Sequence, residues 1–377
     1  MTSAVIQEQI KTAVKGILSP ESYNSFLVRG ANLKYSIKKF LLRRPLTTAL
    51  FRGVLYPELL SIFLTTHCNL RCFICRREEH RPAHLNFDNL TKLKQAIRHA
   101  SVIDLTGWGE CFLYPRFDDV ISYIFSLNRN KELIRIVSNG TMLSKEKAVL
   151  LGERINLFTI SLNAASAETY NRDMKGGSFS DTLDNIREFM TWLPARVHSH
   201  VILHFVAHAG NYHEIADFVR LAADMGVKRV TIGHYLINTE DHLQYSLLSF
   251  KEEYNDAIRD ASGVADTLAV DLTARTFGTE MQASFSTCRD PVLSCYLEPD
   301  GRVAPCCHCG NYRVGNVYRD GFESVWFGDE YRKLRDKMHI PACRRCTPFV
   351  PLDDPRSHFT GVLKDHAEHV EIQTGDR

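Results

Sequence analysis

Three cysteines in the run C-N-L-R-C-F-I-C, Cys68, Cys72 and Cys75, have the spacing in this chain that speaks most directly of chemistry. Thiolates are soft ligands that suit iron-sulfur clusters, and such short spacings let one loop hold three corners of a cube. Three thiolates on a four-iron cluster leave one iron open to a small-molecule ligand. The C-x3-C-x2-C spacing differs from the C-x2-C-x2-C of bacterial ferredoxins. For the triplet alone, a zinc site completed by a distant fourth ligand is the other reading. Placement favours the cluster: Leu60-Ser61-Ile62-Phe63-Leu64 reads as a short buried strand running straight into the cysteines, which puts them at a strand's C-terminal end.

A second group of thiols lies far along the chain. The eleven cysteines fall as Cys68, Cys72, Cys75 and Cys111, then Cys288, Cys295, Cys306, Cys307, Cys309, Cys343 and Cys346. A chain of 377 residues is far longer than a disulfide scaffold, and clustering of this kind is the arithmetic of metal sites in a reducing compartment. Pro299-Asp300-Gly301 is a turn signal between Tyr296-Leu297 and Val303-Ala304, which predicts a small hairpin with Cys306 at its far side. Cys343 and Cys346 form C-R-R-C, whose spacing aims both thiolates at one centre; a zinc knuckle is the alternative for this group.

The elements that must position these cysteines are legible in outline. With 44% apolar residues the chain can bury a large core, and a net charge of +2 gives no invitation to nucleic acid. No run of about 20 apolar residues suggests a membrane span, and no secretory signal opens the chain, so a cytoplasmic home is expected. From 61 to 275 short apolar strands alternate with amphipathic helical runs, the signature of β/α units on a largely parallel sheet. Candidate strands are Ile62–Thr65, Val102–Leu105, Ile134–Val137, Leu157–Leu162, Val201–Phe205, Val230–Ile232 and Leu268–Leu272, with helices at Asn211–Met225 and Lys251–Gly263. The expected fold is α/β, a partial (β/α)6 barrel with a small C-terminal domain at 276–350 and an irregular tail at 351–377. Residues 1–60 form a basic, mainly helical extension with nine Lys/Arg against three Glu. Its stretch from Leu33 to Leu55 suits either an acidic partner or membrane surface, or a helix that packs its apolar side on the domain and leaves its charges in water.

Thr106-Gly107-Trp108-Gly109-Glu110 ends the second strand, Ser138-Asn139-Gly140-Thr141 the third, and Ser161 and Asn163 flank the exit of the fourth. Together with the triplet this pattern resembles the radical S-adenosylmethionine (SAM) superfamily. The resemblance implies that the open iron chelates SAM, that Gly107, Gly109 and Glu110 contact its methionine end, and that Ser138, Asn139, Ser161 and Asn163 make polar contacts with it. Trp108 separates two glycines that the family motif writes as neighbours, and Cys111 stands where a proline often follows the acid. The bland reading of the Ser and Asn residues is loop hydrogen bonding. Residues 288–346 resemble the auxiliary-cluster domain called twitch, related to SPASM. That likeness implies a second 4Fe-4S cluster on Cys288, Cys306, Cys343 and Cys346, with Cys295 and Cys307 as substitutes. Family chemistry implies a 5′-deoxyadenosyl radical that takes a hydrogen atom from substrate, and a flavodoxin- or ferredoxin-like electron donor.

For the reaction, polar residues at the strand exits, His204, His208, His234 and Tyr235 among them, favour oxidation or epimerisation of a small polar metabolite such as a sugar, cyclitol or aminoglycoside-like ring. Epimerisation needs a hydrogen donor, for which Cys309 beside His308 is the candidate, with Cys111, Cys295 and Cys307 also available. Maturation of a ribosomally made peptide is the alternative enzyme reading, and a nonenzymatic cluster-binding interaction protein the alternative of another class.

Overall fold

Strands form where β-branched and leucine residues run together between polar turns. The computed structural model describes residues 33–75, 82–130, 132–237, 240–278, 288–307 and 312–337. Residues 33–55 and the chain from Tyr56 onward belong to two separate units.

In the larger unit the strands are β1 (Leu59–Ile62), β2 (Arg71–Cys72), β3 (Val102–Asp104), β4 (Ile134–Ser138), β5 (Ile155–Ser161), β6 (Met174–Lys175), β7 (Val201–Ala207), β8 (Arg229–His234), β9 (Asp271–Ala274), β10 (Ser294–Leu297) and β11 (Val303–Ala304). One sheet runs in the order β11-β10-β1-β3-β4-β5-β7-β8-β9, all neighbours parallel except the β10-β11 hairpin. Among the described residues no pairing joins β11 to β9, and the strand order is consistent with a partial barrel. The hairpin turns where Gly301 takes φ +86°, a left-handed value that glycine adopts without strain. Its first strand is not an isolated piece of the C-terminal domain: β10 adds in parallel to the edge of β1, Leu60 opposite Cys295.

Helices cover one face. Phe158 on β5 packs on Phe189 of the helix Phe179–Trp192, Phe205 on β7 meets Phe218 of Ile215–Asp224, and His234 on β8 meets Tyr254 of Lys251–Leu268. Side chains alternate along a strand, so the residues between these point to the other, inner face. Behind β10, Arg335 of Asp329–Lys337 is fully buried between Trp326 and Tyr331 and donates to the carbonyls of Pro291 and Trp326, both at 2.8 Å.

The last β/α unit departs from expectation. Helix continues five residues beyond Gly263 to Leu268, because Tyr254, Ile258, Ala261 and Ala265 keep a helical stripe in the core, and the strand starts only at Asp271. Ala269 ends the helix in the left-handed conformation at φ 51°. An L-residue there carries a steric cost that glycine lacks, so Ala269→Gly is expected to stabilise the protein by about 1 kcal/mol and Ala269→Val to destabilise it, read as opposite shifts of the thermal midpoint.

In the smaller unit a helix over 33–42 is followed by Pro45–Phe51 and a single turn at Arg52–Val54. The Thr47 and Thr48 hydroxyls both donate to the Leu41 carbonyl, at 2.8 and 3.0 Å, tying the two helices together. Its large apolar residues are not packed away. Leu33, Ile37, Phe40, Leu46, Leu50, Phe51 and Val54 are seven of the ten exposed large apolar side chains among the described residues.

Candidate functional site

The cysteine loop leaves β1 and is clamped by the exit of β3. Gly109 lies against the loop's own backbone: a Cβ there would stand 2.3 Å from the His67 carbonyl oxygen and 2.7 Å from that of Thr65. The next amide, Glu110 N, donates to the same His67 carbonyl at 2.8 Å. Gly107 is tight in a softer way, since its Cβ would meet the Phe63 side chain first, at 3.1 Å, and the Phe63 Cα only at 3.5 Å.

Glu110 ties a third strand in. Its side chain is buried, with 2% exposure, and its carboxylate accepts from Ser138 Oγ at 3.0 Å, from Asn139 N at 2.8 Å and from Phe112 N at 3.4 Å. Burial raises its pKa and these donors oppose the rise. Asn139 then reaches forward, its Nδ2 donating to Cys68 Sγ at 3.6 Å and to Asn69 Oδ1 at 3.0 Å. Leu70 N also points at Cys68 Sγ, at 3.4 Å. Amide donors aimed at a cysteine sulfur are a means of stabilising thiolate charge and tuning a cluster.

Cys72 sits on β2, which pairs with β6 so that Cys72 faces Met174. Its pKa is pushed up to about 12, first by burial and then by the neighbouring thiols Cys75 and Cys68. Three thiols that repel as thiolates are a donor set that a polynuclear iron centre neutralises. Among the described residues no three His, Cys, Asp or Glu side chains converge closely enough to hold a metal ion; what fits an iron-sulfur cluster is the donor chemistry, three soft thiols on one short loop. Directly beside β6, Asp173 accepts both Arg172 Nε and Nη2, at 2.7 and 2.9 Å, and His208 Nε2 at 3.1 Å. Gly210 N donates to His208 Nδ1 at 3.0 Å, which leaves Nε2 as the protonated nitrogen. Phe73, inside the cysteine loop, packs edge-on to His208, Tyr235 and His242 and tilted against Tyr245.

The inner face carries two polar rows set by strand register. Tyr296, Ser61, Asp104 and Arg135 are directly opposite one another across β10, β1, β3 and β4. Ser161, His204, Thr231 and Thr273 do the same across β5, β7, β8 and β9. His204 Nδ1 lies 2.7 Å from Thr231 Oγ1, and burial lowers its pKa, which favours the neutral ring. Asp104 is raised by burial against the attraction of Arg135, whose Nε is buried with no hydrogen-bond partner among the described residues.

The histidines that the sequence groups together separate here. His204 faces inward, His208 and Tyr235 belong to the cluster around Phe73, and His234 lies behind the sheet against Tyr254 and Phe277. Asn163 adopts φ 58° and spends its side-chain oxygen on Val206 N at 2.9 Å and Ser161 Oγ at 3.4 Å. Cys111 is buried behind Glu110, and Cys295 faces the helices, its thiol pushed up to about 12 by burial. Cys288 and Cys306 are half-buried, and Cys307 follows β11. Cys309, Cys343 and Cys346 lie outside the described residues, as do 351–377. Ser61, Asp104 and Arg135 are absent from the sequence-derived candidates, although each is a lone polar residue inside an apolar strand.

Residues 62–204 match the family model of the radical SAM superfamily, and residues 288–347 match that of SPASM, an iron-sulfur cluster-binding domain. This chain is a radical SAM superfamily enzyme. Its two domains imply binding of SAM and of iron-sulfur clusters. The radical SAM chain is similar to the sporulation killing factor maturation protein SkfB of Bacillus subtilis strain 168, at 22% identity over 86% of this chain and 77% of that protein. It is also similar to a tungsten-containing aldehyde ferredoxin oxidoreductase cofactor-modifying protein of Pyrococcus furiosus, at 21% identity over 76% of this chain and 86% of that protein. Among solved structures, Streptococcus suis SuiB bound to precursor peptide SuiA superposes with a TM-score of 0.56 at 15% identity, covering 77% of this chain and 69% of that one. Among the described residues of this radical SAM enzyme, no helix is long and apolar enough to cross a membrane.

Two outcomes follow from this geometry. Gly109→Ala meets backbone and not the far end of a flexible side chain, a cost of about 1–3 kcal/mol, and is expected to lower the iron and sulfide retained after anaerobic reconstitution while far-ultraviolet circular dichroism is preserved. The carboxyl of Asp173 is held below the usual carboxylate range: burial opposes this, but hydrogen bonds from His208 and Arg172 outweigh it. A depressed pKa gives stability that is complete above the unfolded value and lost as pH falls through the native one. Between about pH 5 and about pH 3 the thermal midpoint of the wild type is expected to drop further than that of Asp173→Asn.

Proposed function

We propose that this enzyme matures a peptide by radical SAM chemistry, with Cys68, Cys72 and Cys75 holding a 4Fe-4S cluster beside SAM and Cys288, Cys306, Cys343 and Cys346 holding a second one. The observation that carries the catalytic reading is the cysteine loop itself: three thiols on the segment after β1, Cys72 pushed up by burial and by its two neighbours, with two amides aimed at Cys68 Sγ. When bound, the cluster and SAM would supply one-electron radical chemistry at a substrate C–H bond.

The chain's own residues prepare the place for that step. Gly107 and Gly109 let the β3 exit lie close against Phe63 and the backbone of the cysteine loop, and Asn139 and Ser161 border the strand ends where the cofactor would lie. Glu110, Ser138 and Asn163 act as positioning residues, since their polar groups are largely spent on holding the ends of β3, β4, β5 and β7 together. On the inner face Arg135, Asp104, His204 and Thr231 offer a charged and hydrogen-bonding floor to a polar substrate. Phe73 and its aromatic neighbours offer an apolar wall. A flavodoxin- or ferredoxin-like protein supplies the electron.

The relatives support a peptide over the small metabolite that the polar strand exits alone suggest. SuiB binds a precursor peptide and SkfB is a maturation protein, and both likenesses extend over most of this chain. A polar inner face also suits a small polar ring, so both substrate classes belong in the test. The experiment is an anaerobic reaction of the reconstituted enzyme with SAM, reductant and either peptides encoded beside its gene or a panel of sugars and cyclitols. Formation of 5′-deoxyadenosine together with a peptide lighter by two hydrogens, or carrying solvent deuterium in heavy water, is the expected result. A product from the metabolite panel alone would overturn the peptide reading. Absence of SAM cleavage under all conditions would sink the catalytic one. Cys72→Ala is expected to abolish 5′-deoxyadenosine formation, whereas Cys306→Ala is expected to retain measurable SAM cleavage and lose the modified product.

A further inference from the structure

The segment from Leu33 to Leu55 holds six Lys/Arg and no Asp or Glu. Its apolar residues are arranged in two exposed stripes at helical spacing. Leu33, Ile37 and Phe40 form one; Leu46, Leu50 and Val54 form the other, at 81%, 79% and 73% exposure. Seven of the ten exposed large apolar side chains among the described residues fall in these 23 positions, against three in all the rest. A soluble surface seldom leaves so dense a patch bare, so something covers it.

The chemistry of the surface selects the occupant. Lys34, Arg43, Arg44 and Arg52 are exposed on the same short segment, with Lys39 half-exposed. The Thr47 and Thr48 hydroxyls are both spent on the Leu41 carbonyl. What the segment presents outward is aliphatic bulk and positive charge. A protein interface is depleted of charged residues at its core and of lysine throughout, whereas here cationic side chains stand among the exposed apolar ones and no carboxylate accompanies them. Leucine and phenylalanine beside long cationic side chains are what an interfacial helix lays into an anionic bilayer, with the apolar stripe among the acyl chains and the charges at the headgroups.

We propose that residues 33–55 form a peripheral membrane anchor for surfaces rich in anionic lipid. Apolar insertion and electrostatic attraction act together, and neither alone holds the protein. The anchor is independent of the identity of the substrate.

The test is vesicle flotation of the full-length, reconstituted enzyme. Vesicles of phosphatidylcholine alone are compared with vesicles containing one part in three phosphatidylglycerol. The wild type is expected to float with the anionic vesicles, to remain at the bottom with the neutral ones, and to be released by high salt. A Lys34→Gln, Arg43→Gln, Arg44→Gln, Arg52→Gln variant is expected to lose about fivefold in partitioning for each charge removed. A Leu46→Glu, Leu50→Glu variant is expected to stay at the bottom while iron content and SAM cleavage match the wild type. Four results would overturn the anchor: failure of the wild type to float, equal flotation on neutral vesicles, flotation of the glutamate variant, or loss of self-association in that variant with no vesicle binding by the wild type. The last would assign the patch to a second copy of the chain. If the wild type stays at the bottom but a form lacking residues 1–32 floats, those residues occupy the patch and the anchor is likewise rejected.

Discussion

The cysteine loop keeps its place because one backbone contact allows no alternative. Gly109 lies so close to the carbonyls of Thr65 and His67 that any side chain would push β3 away from β1. That contact brings Glu110 beneath the strand ends, where its carboxylate gathers donors from β4, and β4 in turn sends Asn139 to the first cysteine. Three strands are thereby fixed to one another through a single acid. Burying a carboxylate is costly unless its lone pairs are met, and each lost donor leaves a penalty of about 1–3 kcal/mol. The arrangement is consequently rigid where the chemistry requires rigidity.

Parallel register does for the inner face what the clamp does for the loop. Because neighbouring strands are aligned residue by residue, one polar residue in each of four apolar strands is enough to make a continuous polar band. Ser61, Asp104 and Arg135 would each be anomalous in a core position; as a row opposite Tyr296 they make a surface. The second row, from Ser161 to Thr273, follows the same rule on the other half of the sheet. On the proposed reading, the directed polar groups of the inner face and the Phe73 aromatic cluster serve to grip substrate and to keep water from a radical.

Much of this was legible in the residues. The cysteine spacings, the glycines after β3 and the hairpin around Gly301 each have a local physical cause, so they can be read without a partner in view. The strands of the barrel are visible for the same reason, being short apolar runs of fixed period. The end of the Lys251–Leu268 helix was not, since the apolar residues from Val264 to Leu272 fit either conformation and only the core stripe through Ala265 decides. Nor was the division among His204, His208 and His234, because position near a strand end does not say which face a side chain takes. The pairing of Asp173 with His208 and Arg172 joins distant parts of the chain, and no local pattern announces it.

The place of β10 has a consequence for how the chain is made. Leu60, at the start of the barrel, has its outer neighbour Cys295 near the far end of the molecule, and until that segment leaves the ribosome β1 stands with one side of its backbone unpaired. A nascent barrel is therefore an incomplete sheet with a sticky rim at the strand that bears the cysteine loop. Closing so long a loop is slow, which makes capture of the last segment a late event in biogenesis. The two halves of the protein are then less like beads on a string than like a garment and its fastening.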